Sequence, residues 1–460
     1  MSALWTAQEI AAATGGTASG DFSVSGVTFD SREVIGGELF IALRGESNDG
    51  HRFIGQARER GAAGFLVSEP VEGAHVRVAD TTAALEALGG LSRGRSSATV
   101  IGVTGSVGKT SVKEALKLAL ERLAPGRTHA SVKSYNNHTG VPLSLARMPA
   151  DSRFGVFEMG MNHAGELAAL TRLVRPQVAV VTWVASAHRE FFATEELIAD
   201  AKGEIFQGLE PGGTAIVPFD SVHRDRLLGH ARPHAANILT FGEGEGADVR
   251  AKRFSLQPDC TTVTADVAGE LLTYKVGMAG RHWLNNSLAV LAAVKAAGGD
   301  LGLAGLALAG LTGLPGRGRR LRVNRDGGQA IVIDESYNAN PASMAAALAV
   351  LGEVPPMGQG RRLAVLGSMK ELGELSDEFH AGLAPAVEAA GVAHVVLVGA
   401  EIEPLAGVLQ RKLKVEHVAN ADAAIAAVDR ALRPDDVLLV KGSNSVGLGR
   451  LVAHFQGAEA

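Results

Sequence analysis

Short apolar runs alternate with amphipathic stretches through the middle of the chain. The run ATVIGV (98–103) leads into a glycine-rich loop and then into SVKEALKLALERL (111–123), whose apolar residues recur at helical spacing. Further apolar runs are FGVFEM (154–159), VAVVTWV (178–184) and TAIVPF (214–219), with helical patterns between them. A fully buried strand reads as a continuous apolar run. The alternation therefore predicts a parallel sheet with helices on its faces. From 247 to 277 the pattern changes to alternating residues with turns, as in TTVTADVAGELLTYKV, which predicts an antiparallel extension. The helix NNSLAVLAAVKAA (285–297) follows.

On either side the texture differs. Residues 1–97 mix short strands and helices, with a helix over 79–90 and a polar linker at SRGRSS (92–97). The segment LTGLPGRGRR (311–320), rich in Gly and Pro, marks a second boundary. Beyond it the strand runs are AIVID (330–334), RLAVLG (362–367), HVVLVG (394–399) and DVLLVK (436–441), each followed by a helical pattern. The expected fold class is α/β in three domains. These are a small N-terminal domain (1–97), a central phosphate-loop parallel-sheet domain with an antiparallel extension (98–314) and a C-terminal Rossmann-like domain (315–460).

Composition narrows the class. A chain of 460 residues with 46% hydrophobic and 20% charged residues is too apolar for disorder and too long for one core. A formal net charge of −5 excludes a uniformly basic nucleic-acid binder. The single cysteine, Cys260, excludes an intrachain disulfide and fits a reducing compartment. The opening MSALWTAQEIAAATGG lacks a basic segment and carries Glu9, unlike a secretory signal. No apolar run approaches the roughly 18 residues of a membrane helix. A soluble cytoplasmic protein is expected, without membrane insertion and without nucleic acid.

The sharpest local signal is TGSVGKTS: Thr104, Gly105, Ser106, Val107, Gly108, Lys109, Thr110 and Ser111. It lies between a strand and a helix, where a phosphate loop belongs. Gly105 and Gly108 let the backbone turn its N–H groups inward around phosphate oxygens. The helix starting near Lys109 points its positive end at the same anion. Lys109 adds a cation, and the Thr110 hydroxyl suits Mg²⁺. Val103 stands where the strict template has a glycine. Nothing resembles a guanine-specific NKxD element, so ATP is the expected nucleotide.

Three further residues each admit two readings. Glu158 ends a strand at the carboxyl edge of the sheet, as a Mg²⁺ ligand or as a cap or ion-pair partner. His188 follows the 178–184 run after a short turn, as a metal ligand or as a structural histidine. Lys202 shares a helical stripe with Ile198 and Phe206 at i, i+4, i+8. It either snorkels to solvent or is buried neutral, in which case its amine adds CO₂ to become a carbamate.

Taken in order, TGSVGKTS, FEMG, AHREFF and AKGEI resemble the Mur ligases, ATP-dependent amide-forming enzymes of peptidoglycan synthesis. The resemblance covers nearly the whole chain. FDSREVIGGELFIALRGESNDGHRFI (29–54) is similar to a uridine-nucleotide-binding region. YNNHTGVPLSL (135–145) and IDESYNANPASM (333–344) are similar to the branch that joins D-alanyl-D-alanine to UDP-N-acetylmuramoyl-tripeptide. The resemblance implies catalysis through an acyl phosphate by Lys109, Glu158, His188 and Lys202. It implies two Mg²⁺ ions held by Thr110, Glu158, His188 and a carbamylated Lys202. ATP would meet the phosphate loop together with His282, Asn286, Arg317 or Arg319, Glu335, Tyr337 and Asn338. Ser31, Arg32, Asn136, Asn137, Thr139 and Asn340 would face the muramoyl substrate. A monomer that closes its third domain over ATP is expected.

Three positions depart from the family pattern: Glu335 where aspartate is common, Ser368 in LGSM where LGDM is usual, and Asn444 in KGSN where KGSR is usual. The nearest alternative is a sister ligase that adds a different amino acid or acts on folate, and a folate ligase would not need the DSR region at 30–32. A nucleotide switch would not need Lys202. A small-molecule kinase would need a catalytic base that the sequence does not offer.

Overall fold

The computed structural model describes residues 3–45, 48–187 and 189–457. Three large sheets follow one another along the chain. The first has five strands, in the order Thr17–Ser19, His75–Arg77, Gly64–Val67, Glu38–Ile41, Gly26–Thr28, parallel except for its first pair. The fold is α/β in three domains, as the run pattern predicts.

The central sheet has nine strands. Its inner strand Thr99–Thr104 lies between Phe154–Glu158 and Val178–Val181. Thr128–Ala130 closes one edge. Thr214–Pro218 and Asn237–Gly242 continue the other side, followed by Val249–Leu256, Thr261–Val267 and Glu270–Val276. The last two joins are antiparallel, so the 247–277 pattern was a real change of topology. Strand order reverses at Thr99–Thr104, and a crevice opens at the carboxyl end of such a strand. Val100, Ile101 and Val103 are fully buried, as a strand covered on both faces requires.

The helix Lys109–Leu123 buries Val112, Leu116 and Leu120 at i, i+4, i+8, together with Ala115 and Ala119. Each buried leucine contributes roughly 1.5–3 kcal/mol, so this stripe fixes the helix that begins at the phosphate loop. Arg281–Ala296 and Leu301–Ala309 pack in the same cluster. The six-stranded third sheet runs Arg319–Arg325, Gly328–Glu335, Val437–Lys441, Arg362–Gly367, Val392–Val398, Lys414–Val418.

One reading of the pattern needs correction, and one strand was not marked by it. SRGRSS is not a free linker, because the helix Thr81–Arg95 runs through most of it. Ser92 is buried and its hydroxyl donates to the Met148 carbonyl at 3.1 Å. Buried Arg93 donates to the carbonyls of Val174 and Arg175, both at 2.8 Å. These polar side chains serve backbone acceptors of the central domain, which composition alone does not reveal. The basic run 319–325 is a strand, hairpinned onto Gly328–Glu335. It forms a sheet edge, where charged residues are tolerated. Among the described residues, no helix is long and apolar enough to cross a membrane.

Candidate active site

The backbone of the glycine-rich loop dictates its residue types. Gly105 has φ +153° and Gly108 φ +85°. A Cβ on Gly105 would sit 1.9 Å from Thr182 Oγ1, and one on Gly108 would sit 2.7 Å from Asn286 Oδ1. The loop is stitched to the neighbouring strand end. Ser106 N–H donates to the Trp183 carbonyl at 2.8 Å, Ser106 Oγ donates to the Ala185 carbonyl at 2.9 Å, and Thr182 Oγ1 donates to the Val107 carbonyl at 2.6 Å. Thr104 and Gly105 thus form the base of the loop and do not line the cleft above it.

That cleft has a volume of about 570 Å³ and is bounded by two sheets. Ser106, Val107, Gly108, Lys109, Thr110 and Ser111 form its floor, with Asn136, Glu158, His282 and Asn286 around them. Arg317, Glu335, Tyr337, Asn338 and Asn340 face them from the third domain. Asn340 Nδ2 donates to the Ser106 carbonyl at 3.4 Å, so the two domains touch across the loop. Arg319 lies outside this lining and borders a neighbouring cavity. Of the two arginines, Arg317 is the one at the site. Its guanidinium lies 4.1 Å from the centre of the Tyr337 ring and donates to Ser134 Oγ at 3.3 Å.

The charges are arranged around the loop. Lys109 Nζ donates to the Gly105 carbonyl at 2.6 Å. Burial pushes its amine down, opposed by Glu158, while Arg317 pushes the same way as burial. Glu158 is 1% exposed. Its Oε2 accepts from Thr110 Oγ1 and its Oε1 from Asn136 Nδ2, both at 2.7 Å. Both donors are neutral, and among the described residues the carboxylate has no ion pair. That donor set, a carboxylate and a hydroxyl beside a phosphate loop, fits Mg²⁺.

Lys202 is 1% exposed, which overturns the snorkelling reading. Burial first and the Lys109 ammonium second hold its amine well below the ordinary lysine value. It lies near Lys109 but not in the cleft lining. His188 lies outside the described residues. Among the described residues, no group of three or more His, Cys, Asp or Glu side chains forms a metal cluster.

His282 is pushed down to about 4 by burial and secondarily by Lys441, so a neutral imidazole faces the cleft beside Trp283 and Asn286. Glu335 lies 3.6 Å from Lys441, whose Nζ donates to the Asn338 carbonyl at 2.8 Å. Burial raises the Glu335 carboxyl and lowers the Lys441 amine. Sequence reading missed Lys441 and Ser134 as site residues. Lys441 ends a wholly buried strand, and a cation in that position was the available signal.

Other expected residues are elsewhere. Ser31 Oγ donates to Gln56 Oε1 at 2.6 Å within the first domain, and Arg32 pairs with Asp30 at 2.7 Å. Asn137 Oδ1 accepts from Thr139 Oγ1 at 3.1 Å and Gly140 N–H at 2.9 Å, at the start of the helix Gly140–Ala146. None of Ser31, Arg32, Asn137 and Thr139 lines the cleft.

A phosphate loop whose pocket is completed by a second α/β domain defines a nucleotide-dependent enzyme that assembles its site between domains. Comparison with known proteins makes the class specific. Residues 103–294 match the Mur ligase middle domain, 318–444 the Mur ligase glutamate ligase domain, and 23–95 the Mur ligase family catalytic domain. The chain belongs to the Mur ligase family and is an ATP-dependent ligase. It is 35% identical to the UDP-N-acetylmuramoyl-tripeptide–D-alanyl-D-alanine ligase of Escherichia coli K12, over 95% of this chain and 94% of that one. A crystal structure of MurF from Acinetobacter baumannii matches with a TM-score of 0.84 and 30% identity, covering 98% of each chain. MurF ligase from Thermotoga maritima, solved in complex with ADP, matches with a TM-score of 0.77 and 29% identity, over 94% of this chain and 97% of that one.

Proposed function

We propose that this ligase joins D-alanyl-D-alanine to UDP-N-acetylmuramoyl-tripeptide, forming the pentapeptide precursor of peptidoglycan with consumption of ATP. One observation carries the reading. A phosphate loop, a buried carboxylate and a second domain meet over one cleft, in a chain that matches ligases of that name along nearly its full length.

The chemistry follows from the groups present. Loop N–H groups and Lys109 bind the ATP phosphates, with Arg317 placed from the opposite domain to neutralise transferring charge. Neutral His282, with Asn286, faces the uncharged base. Thr110 and Glu158 would hold Mg²⁺, whose chemistry would be to neutralise phosphate oxygens. Lys202, neutral by burial, adds CO₂ and releases a proton to become a carbamate, which supplies anionic oxygens beneath Lys109. The terminal carboxylate of the tripeptide takes the γ-phosphoryl group, and the amine of the dipeptide displaces phosphate to form the amide. Acyl phosphates hydrolyse in water, so the third domain excludes solvent by closing on the loop, with Asn340 and Arg317 as its contacts. Asn136 faces the reacting carboxylate. Ser31 and Arg32 bind the uridine nucleotide at a distance.

Phosphate release from ATP with the UDP-muramoyl-tripeptide, with and without D-alanyl-D-alanine, tests this reading together with the product mass. Dipeptide-dependent release and the pentapeptide mass are expected. Stimulation by a different amino acid would make it a sister ligase instead.

A further inference from the structure

The loop 131–136 delivers two residues to the cleft and is pinned from two directions. From inside, Lys113 is fully buried on the helix Lys109–Leu123, one turn past Thr110. Its ammonium donates to the carbonyls of Ser131 at 2.8 Å and Lys133 at 2.9 Å. Lys133 has φ +53°, a left-handed conformation that costs a non-glycine residue energy and needs such anchoring. From outside, Glu33 of the first domain receives the loop. Its Oε1 accepts from Lys133 Nζ and, at 2.8 Å, from Tyr135 Oη. Its Oε2 accepts from Arg147 at 3.2 Å and from Thr28 Oγ1 at 3.3 Å. Between the pins, Ser134 Oγ lies 3.4 Å from Thr110 Oγ1 and accepts from Arg317. Asn136 Nδ2 donates to Glu158, and the Asn136 carbonyl accepts from Gly160 N–H at 2.8 Å.

From this geometry we infer that Glu33 is a positioning residue for the phosphate site. Through Lys133 and Tyr135 it sets the loop that places Ser134 against Thr110 and Arg317, and Asn136 against Glu158. It touches neither nucleotide nor reacting atoms. The first domain thereby does more than hold its own ligand, because its Ser31–Glu33 turn holds in register a loop of the catalytic cleft. Misplacement of reacting groups by about 1 Å costs on the order of 100-fold in rate, so a loosened loop is read in kcat.

The test compares Glu33→Gln, Tyr135→Phe, the double variant and Lys133→Met in the full-length enzyme. Each single change is expected to lower kcat roughly 10–100-fold, with the KM for the UDP-muramoyl substrate within about threefold of wild type. The double variant should be no slower than its slower single, because both act through one contact. Hydrogen exchange over 131–137 should speed up in each variant, a readout that needs no turnover. Unchanged kcat with unchanged exchange would overturn the proposal. So would an effect confined to the KM of the UDP substrate, which would make Glu33 a binding residue. If Glu33→Gln fails to fold, Lys133→Met, on an exposed side chain, and Tyr135→Phe decide the matter. The inference rests on the proposed reaction only for its kinetic arm. A wild-type enzyme without dipeptide-dependent turnover would sink that reaction and leave the exchange experiment to judge Glu33.

Discussion

Thr110 Oγ1 donates to Glu158 Oε2 at 2.7 Å, joining the first turn of one helix to the last residue of the adjacent strand. The contact follows from register. Glu158 pairs with Val103, so two neighbouring parallel strands end together and the loop after one folds over the carboxylate of the other. Glu158→Gln keeps the shape and removes the charge. Turnover should fall by roughly 100-fold or more, with ADP affinity within a few-fold of wild type. Near-normal turnover would remove Glu158 from the charge-neutralising role.

Gly105→Ala inserts a methyl 1.9 Å from Thr182 Oγ1 at a φ of +153°. The backbone must shift, and Thr182 also holds the Val107 carbonyl. Loss of measurable ADP binding is expected by calorimetry, with a stability loss of about 1–3 kcal/mol. Retained ADP binding would show that the loop tolerates a wider turn.

Lys202→Ala should abolish turnover while leaving the melting temperature and ADP affinity near wild type. Supplied with ¹³C-bicarbonate, the wild-type enzyme should show a carbamate carbon resonance that the variant lacks. Absence of that resonance, or normal turnover in the variant, would end the case for a modified lysine.

The imidazoles of His129 and His282 are both pushed down to about 4 by burial. His380 and His394 shift in the same direction. An unfolded histidine titrates near 6.5, so between about pH 6.5 and 4 the unfolded chain takes up protons that the folded chain refuses. Stability should therefore fall as pH drops through that window, and above it the trend keeps the same sign, because burial holds the amines of Lys202, Lys109 and Lys441 below the lysine value of the unfolded chain. Glu335, raised by burial, opposes the trend within it. Urea midpoints measured from pH 8 to 5 check this, and His129→Gln should reduce the slope. A flat profile would contradict the burial assigned to these rings.

Arg93→Ala removes the donor that serves the Val174 and Arg175 carbonyls in a buried setting. A loss of about 2–4 kcal/mol is expected in equilibrium unfolding. A change below 0.5 kcal/mol, roughly the surface range, would restore the linker reading of SRGRSS.

Much of the centre of this fold was legible because its strands are buried on both faces and read as uninterrupted apolar runs. Edges were not. Arg319–Arg325 and Lys414–Val418 carry charges because each has only one neighbour, and their composition hides them. In the site, TGSVGKTS was legible because glycine positions and a helix start are local properties. Arg317, Asn340 and Lys441 were harder, since only the meeting of two domains gives them a common cleft. Periodicity placed Lys202 on an apolar stripe, but whether its amine reached water depended on side chains distant in sequence. Ser134 carried no signal of its own, because its place is set by Lys113 and Glu33.

The chain has three tryptophans, and their placement is uneven. Trp5 of the first domain is fully buried, and its indole donates to the Ala146 carbonyl of the central domain at 2.8 Å. The other two bracket the phosphate loop: Trp183 offers its carbonyl to Ser106, and Trp283 lines the cleft. One indole, that of Trp283, therefore lies at the cleft itself. Intrinsic fluorescence can follow nucleotide arrival and domain movement in the unlabelled enzyme, against a constant background from Trp5. The fold thus carries its own optical probe, at the spot where ligand binding is to be timed.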